Sequence, residues 1–428
     1  MKWRMRYLTM FVSALLLVTL SFVLWTSNQK KILRIGVYAG SSWDVPNSRE
    51  NRVLDNIIRQ FEKSHPNVKV VYESGIPKKD YDNWLAEKIL KGEQADVFMV
   101  PENDFSMLAA SGAFKSLDSL ISKEEAAAYY PVAYQAGQYQ GHSYALPIES
   151  NPIMMCVNKD LLEKEGISIP DSNWTLEDLY AICQKVTKDT DGDGLIDQYG
   201  ITDYTWKQAL VAYNGHLRNQ SGVNVDSVEM HQALSFISKL DSLNQRYKVT
   251  SNDFDEGKVA FYPMSLAQYR TYKPYPYHVA KYSRFSWTCI PMPAAKAGIP
   301  ATQVKTSLFA MSSKTKQDKL AWEFMKLLCQ NQKNQQELFA KSQGTSVLTS
   351  VVKSSQTKKI LQADDFGLDS LTSQRLDHMM KHSVLDISRD LDYHSLERLY
   401  YLLGNALKNN EIDSILPSIQ REMEETGK

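Results

Sequence analysis

Apolar positions after residue 30 switch between two periods. Residues 32–38 have strand character, and Leu54, Ile57, Ile58 and Phe61 then return at helical spacing until Pro66 stops the run. Val68–Tyr72 is predicted as a second strand and 81–90 as a second helix, with Trp84, Leu85 and Ile89 on one face; 96–100 is a third strand. Strand, helix, strand, helix, strand predicts a parallel sheet.

Ligands of an open α/β sheet lie beyond the carboxyl ends of its strands. Here those ends carry Ser41, Ser42 and Trp43, and then Pro101, Glu102, Asn103 and Asp104. Trp43 reads either as a ligand contact or as a packed loop tryptophan. Asp104 reads either as a ligand contact or as the cap of a helix beginning near Phe105.

Residues 144–152, which include Glu149, have extended character between prolines and read as a crossing between lobes, leading into an apolar strand over 153–157. Thr175 then caps a helix carrying Leu179, Ile182 and Val186, with Asp178 placed for a capping box, and opens a second α/β lobe. Residues 261–287 hold nine aromatic side chains interleaved with Pro263, Pro274 and Pro276. Aromatic faces stack on sugar rings, which assigns this stretch to a cleft; rigid packing of an irregular connection explains any single member as well. Residues 370–423 are helical in pattern and read as scaffold.

The chain has 428 residues, beyond the usual size of a single core, so two lobes around one cleft are expected. Its 49 basic residues balance 49 acidic ones, which argues against nucleic acid as a partner and for an uncharged or zwitterionic ligand. Lys2, Arg4 and Arg6 precede an apolar run over 8–25, an export signal. The run nearly spans a bilayer and no small-residue cleavage pattern follows, so it is expected to stay as an anchor at the extracellular face of the membrane; cleavage would leave the protein secreted. Cys156, Cys183, Cys289 and Cys329 are few and far apart, and are expected as buried thiols.

Asp189, Asp191, Asp193 and Asp197 occupy positions one, three, five and nine of a calcium-type loop with glycine at six, but Gly200 stands where an EF-hand needs a bidentate Glu. A structural calcium ion and a plain Asp/Gly turn are both open readings; no cofactor is required. His378 and His382 share a helix face without a third ligand and read as solvated. No nucleophile elbow, Walker loop or G-x-G-x-x-G is present, which argues against an enzyme. A glycosidase pair of Asp104 and Glu149 is the remaining catalytic alternative.

In order along the chain, these residues resemble the carbohydrate-type extracellular solute-binding proteins (family 1) of bacterial ABC importers. The resemblance rests on the 53–66 helix ending Phe61-Glu-Lys-Ser-His-Pro66, on Asp96-Val-Phe-Met-Val100, Tyr144-Ala-Leu-Pro-Ile-Glu149 and Val157-Asn-Lys-Asp-Leu-Leu162, on Trp174-Thr-Leu-Glu-Asp-Leu179 and Gly257-Lys-Val-Ala-Phe261, and on Thr306-Ser-Leu-Phe-Ala-Met-Ser312 followed by Leu320-Ala-Trp-Glu-Phe-Met-Lys-Leu-Leu328. It implies a two-lobed, periplasmic-binding-protein-like α/β fold of the maltose-binding-protein type with a hinge, after an N-terminal signal or membrane helix over 1–27. Residues 28–148 with about 292–345 would form one lobe, and 149–291 with about 346–428 the other. The ligand contacts it implies are Trp43, Asn103, Asp104, Glu149, Trp206, Tyr262 and Ser265, to which the aromatic stretch adds Tyr269 and Trp287. The implied partners are a sugar or similar polar solute and the permease subunits, with the binding protein a monomer. The lipid-attachment cysteine of many Gram-positive relatives is missing here, which leaves tethering to the N-terminal helix. A membrane-anchored solute sensor without a transport role is the alternative reading.

Overall fold

The computed structural model describes residues 30–43, 45, 50–73, 75–219, 222–245, 247–271, 285–363, 370–409 and 411–426. The expected anchor and most of the aromatic stretch, residues 272–284, lie outside the described residues. Among the described residues no helix is long and apolar enough to cross a membrane.

The first five elements follow the predicted order: β1 (Lys31–Gly36), α1 (Glu50–Ser64), β2 (Val68–Tyr72), α2 (Lys78–Lys91) and β3 (Val97–Val100). β1 pairs in parallel with both β2 and β3. Val53, Ile57 and Phe61 of α1 are buried, as are all four residues of β3, because the strand is covered on both faces. Gly36 has no room for a side chain: a Cβ there would lie 2.9 Å from that of Phe98.

The crossing is one strand rather than a linker. β4 (Ala145–Asn158) runs unbroken through both prolines. Its first half pairs antiparallel with β8 (Thr302–Met311), and its second half with β6 (Val259–Ser265) and β7 (Trp287–Ile290). Pro147 is tolerated beside a register shift at Ser307/Leu308, and Pro152 sits where β4 passes from one set of partners to the other. The strand order β2-β1-β3-β8-β4-β6-β5, with β5 at Tyr199–Ile201, therefore joins two sheet halves through one strand.

Two buried clusters form, and the first spans both sheet halves, from Leu33 and Val97 to Val259, Met264 and Trp287. The second is built from α4 (Leu176–Val186), α5 (Trp206–Ala212), α6 (Val228–Leu243), the outer faces of β4 and β6, and the closing helices α11 (Tyr393–Asn409) and α12 (Ile412–Thr426). Thr175 and Asp178 form the capping box at the start of α4. The first core continues through α8 (Asp318–Cys329), α9 (Gln332–Lys341) and α10 (Ser373–Lys381), so Val351, Leu361 and Met379 pack with the first core and Leu399 and Leu416 with the second. The 370–423 region is not purely helical: β9 (Ser383–Leu385) adds in parallel to the start of β8. A three-residue strand between helices carries too little period to be read from sequence.

Candidate functional site

The turn after β3 meets the segment leading into α11. The Glu102–Asp104 turn packs against the Ile387–Asp390 turn. Asp104 does not cap the short helix that follows it. Burial, then the nearby carboxylates of Asp82 and Asp392, push its carboxyl up to about 6. Asp392 accepts from the Ser395 N–H at 2.9 Å. Arg389 lies over the Phe105 ring at 5.5 Å and donates to the Ala136 carbonyl at 3.2 Å.

Trp206 opens α5 and is buried, its ring 5.1 Å from that of Tyr400 on α11. The Tyr204 hydroxyl and the Trp206 indole N–H are buried without a hydrogen-bond partner among the described residues. Beside them Lys207 and Asp386 form a buried ion pair at 2.6 Å, and Lys207 also reaches the Ser388 hydroxyl at 3.1 Å. The segment 386–400, read from sequence as scaffold, thus touches the Asp104 turn on one side and Trp206 and Lys207 on the other. Sequence reasoning missed Asp386, Arg389, Asp392 and Tyr400 because helical period there points only to packing; the non-periodic Asp386, Asp390 and Asp392 ahead of the helix were the available signal.

Glu149 is placed differently from the expectation. It is 3% exposed, accepts from the Gly344 N–H at 2.8 Å, and is bonded by the Ser342 hydroxyl. Burial raises its carboxyl, and these donors, the nearby Trp43 indole and the Arg270 charge oppose that rise. Arg270, on α7 (Leu266–Thr271), donates to the carbonyls of Phe339 at 2.8 Å and Gly344 at 3.0 Å and lies over the Phe339 ring. Glu149 is therefore a buried tie at the strand crossing, one carboxylate oxygen taking both the Ser342 and the Gly344 bond. That placement gives Glu149 a structural role at the crossing, with 3% of its surface exposed.

Trp43 is half-buried, its backbone N–H donating to Ser41 Oγ at 3.1 Å. A narrow, mostly apolar cavity of about 70 Å³ runs from Gly40 and Ser42 to Met99 and Glu149. Asn103 is half-buried in its turn. Ser265 caps α7, its Oγ accepting from the Gln268 N–H at 3.2 Å. Tyr262 is half-buried and stands edge-on to Phe254 at 5.3 Å.

The described ends of the aromatic stretch form core rather than an open platform. Phe254 contacts Tyr262, Phe285 and Trp287 edge-on, and Trp287 leans on Tyr269 at 5.5 Å. Tyr269 and Trp287 are 0% and 1% exposed, and the Tyr269 hydroxyl bonds Ser370 Oγ at 2.5 Å. Both are corrected from solute contacts to packing residues: Trp287 on β7 and Tyr269 on α7 are buried against each other in the core.

In the Asp189 loop the carboxylates of Asp189, Asp191 and Asp193 each bring one oxygen within 4.8 Å of the others. Asp189 accepts from the N–H groups of Gly192 at 2.7 Å and Gly194 at 2.8 Å, which hold its carboxyl low. Asp197 turns to Thr190 instead, bonded by its N–H and hydroxyl. His378 and His382 are exposed and their rings lie 4.3 Å apart, with no acidic or thiol partner grouped around them among the described residues.

The family model described as bacterial extracellular solute-binding protein matches residues 56–364. The chain belongs to that family. The maltotriose-binding protein of Pyrococcus abyssi is 25% identical over 138 residues, which is 32% of this chain and 30% of that protein. Among solved structures, the sugar-binding protein from Xanthomonas citri matches with a TM-score of 0.74 at 15% identity, covering 92% of this chain and 97% of that one. An ABC substrate-binding protein from Listeria monocytogenes, in complex with cycloalternan, matches with a TM-score of 0.64 at 18% identity, covering 93% and 99%.

Membership of the extracellular solute-binding family fixes the fold as the two-lobed α/β type and the role as solute binding outside the cell in transport, not catalysis.

Proposed function

We propose that the protein captures a sugar or oligosaccharide between its lobes by bending about the crossing strand and delivers it to the permease of an ABC importer. One observation carries this reading: β4 passes at Pro152 from one set of sheet partners to the other, so bending there moves the Asp104 turn relative to Trp206. The relatives support the ligand class, since their names specify maltotriose, cycloalternan and sugar. Trp43, Asn103, Asp104 and the Tyr204–Trp206 edge are the contacts we assign, aromatic groups stacking on the ring and polar groups bonding hydroxyls. The division near residues 148 and 291 and the monomeric state belong to the same proposal.

The full-length protein, titrated with mono-, di- and oligosaccharides in a thermal-unfolding assay, is expected to respond to one saccharide class. At about 100 times its Kd that ligand adds roughly 2.7 kcal/mol. A flat response across the panel sinks the sugar reading.

Two finer points belong here. Residues 8–25 are proposed to tether the protein at the extracellular membrane face, which carbonate extraction of membranes tests: release into the wash refutes it. The Asp189 loop is proposed to hold a structural calcium ion; calorimetry with calcium alone, showing heat in the wild type and none in Asp191→Asn, is the expected result, and no heat at millimolar calcium refutes it.

A further inference from the structure

The four cysteines looked unrelated in sequence, and two are. Cys183 packs under Gly200, where an added Cβ would lie 2.7 Å from its sulfur, and Cys329 ends α8 in the first core. The other two, 133 positions apart, are direct cross-strand partners: Cys156 on β4 faces Cys289 on β7 in antiparallel register. Their Sγ atoms are 3.6 Å apart and both side chains are 0% exposed.

We propose that Cys156 and Cys289 are joined by a disulfide in the exported protein. Three observations converge. The sulfurs are already in contact, so only a small rotation about each side chain separates them from bonding distance, about 2.05 Å. The register makes the pair specific, since no other cysteine has a sulfur partner among the described residues. The family is extracellular, where thiol pairs oxidise and stay oxidised.

The oxidant is a protein or small-molecule disulfide of the oxidising compartment. The thiolate of one cysteine attacks it, forming a mixed disulfide and releasing one thiol. The second cysteine, losing its proton, attacks the mixed disulfide at the first cysteine's sulfur. The Cys156–Cys289 bond forms, the oxidant's disulfide is broken, and the oxidant leaves as the dithiol with both electrons and both protons. Burial, with the neighbouring sulfur, raises the Cys156 thiol, so the exchange takes place before β7 closes over the pair. The bond then encloses residues 157–288, most of the second core, and clamps the crossing strand to β7. It stabilises that lobe chiefly by restricting its unfolded chain, and more so for a long loop. The proposal rests on the extracellular location and is independent of which solute binds.

The test is thiol counting by mass spectrometry on the full-length exported protein, quenched in acid and alkylated in denaturant. The expected result is alkylation of Cys183 and Cys329 alone, with Cys156 and Cys289 alkylated only after reduction and recovered before it as one linked peptide pair lighter by two hydrogens. Four thiols alkylating without reduction, or a link to a different cysteine, overturn the proposal. As a second readout, reductant is expected to lower the unfolding midpoint of the wild type by several degrees and leave the midpoint of Cys156→Ala/Cys289→Ala unmoved. An equal shift in both overturns it.

Discussion

Gly344 donates its N–H to the Glu149 carboxylate at 2.8 Å, and a Cβ on Gly344 would fall 2.6 Å from the same oxygen. The glycine is required by that close approach and not by its backbone angles. The tie joins the crossing strand to the turn after α9, and Arg270 of α7 fastens the same turn through the Gly344 carbonyl. The proposed closure of the lobes has to bend beside this fixed point.

Gly344→Ala is expected to destabilise the protein by about 1–3 kcal/mol, the usual cost of forcing atoms into a filled core. Urea denaturation reads this directly. A variant indistinguishable from wild type would show that the turn can retreat from Glu149.

Lys207→Met removes the partner of a carboxylate that is wholly buried. Burial alone would raise Asp386, but Lys207, Lys305 and the Ser388 hydroxyl hold it well below the ordinary carboxylate range. Breaking such a pair costs about 3–5 kcal/mol because one charge is left without compensation. A folded-state value below the unfolded one means that the pair stabilises the protein above about pH 4 and stops doing so only as the pH falls further. The loss in Lys207→Met should therefore be full at pH 7 and shrink in strong acid. A constant loss at all pH values contradicts the assignment.

Asp104 behaves in the opposite sense. Its carboxyl rises to about 6, above the unfolded value, so ionising it costs stability as the pH climbs through 6. Asp104→Asn is expected to match wild type near pH 4 and to exceed it by about 1 kcal/mol at pH 8, after allowance for solvent screening. Unfolding curves of the two proteins across pH 4–8 check this, and parallel curves would remove the carboxylate repulsion from the account.

Phe254→Ala separates packing from binding in the aromatic segment. As the hub of contacts to Tyr262, Phe285 and Trp287, Phe254 should cost about 3–5 kcal/mol when truncated. The stabilisation produced by whichever saccharide registers in the wild type should be unchanged in the variant. Loss of that ligand response with little loss of stability would return the cluster to the cleft.

The sequence by itself determined the repeating strand–helix order of the first lobe, the Thr175 cap and the family, because periods of two and 3.6 and a capping box are local and survive without tertiary context. It also marked Trp43 and Asp104 through their places at strand ends. Only the tertiary structure decided which polar and aromatic residues face solvent. Glu149 has the same composition cues as a ligand carboxylate, yet Gly344 and Ser342, nearly 200 positions later, both bond its Oε1. Tyr269 and Trp287 share the aromatic density of a sugar platform, yet a short helix and a strand bury them against each other. Asp386, Asp392 and the Cys156–Cys289 contact are products of pairing between segments far apart in the chain. No local pattern encodes which strand lies beside which, so residues that act across such a pairing appear only when the chain is folded.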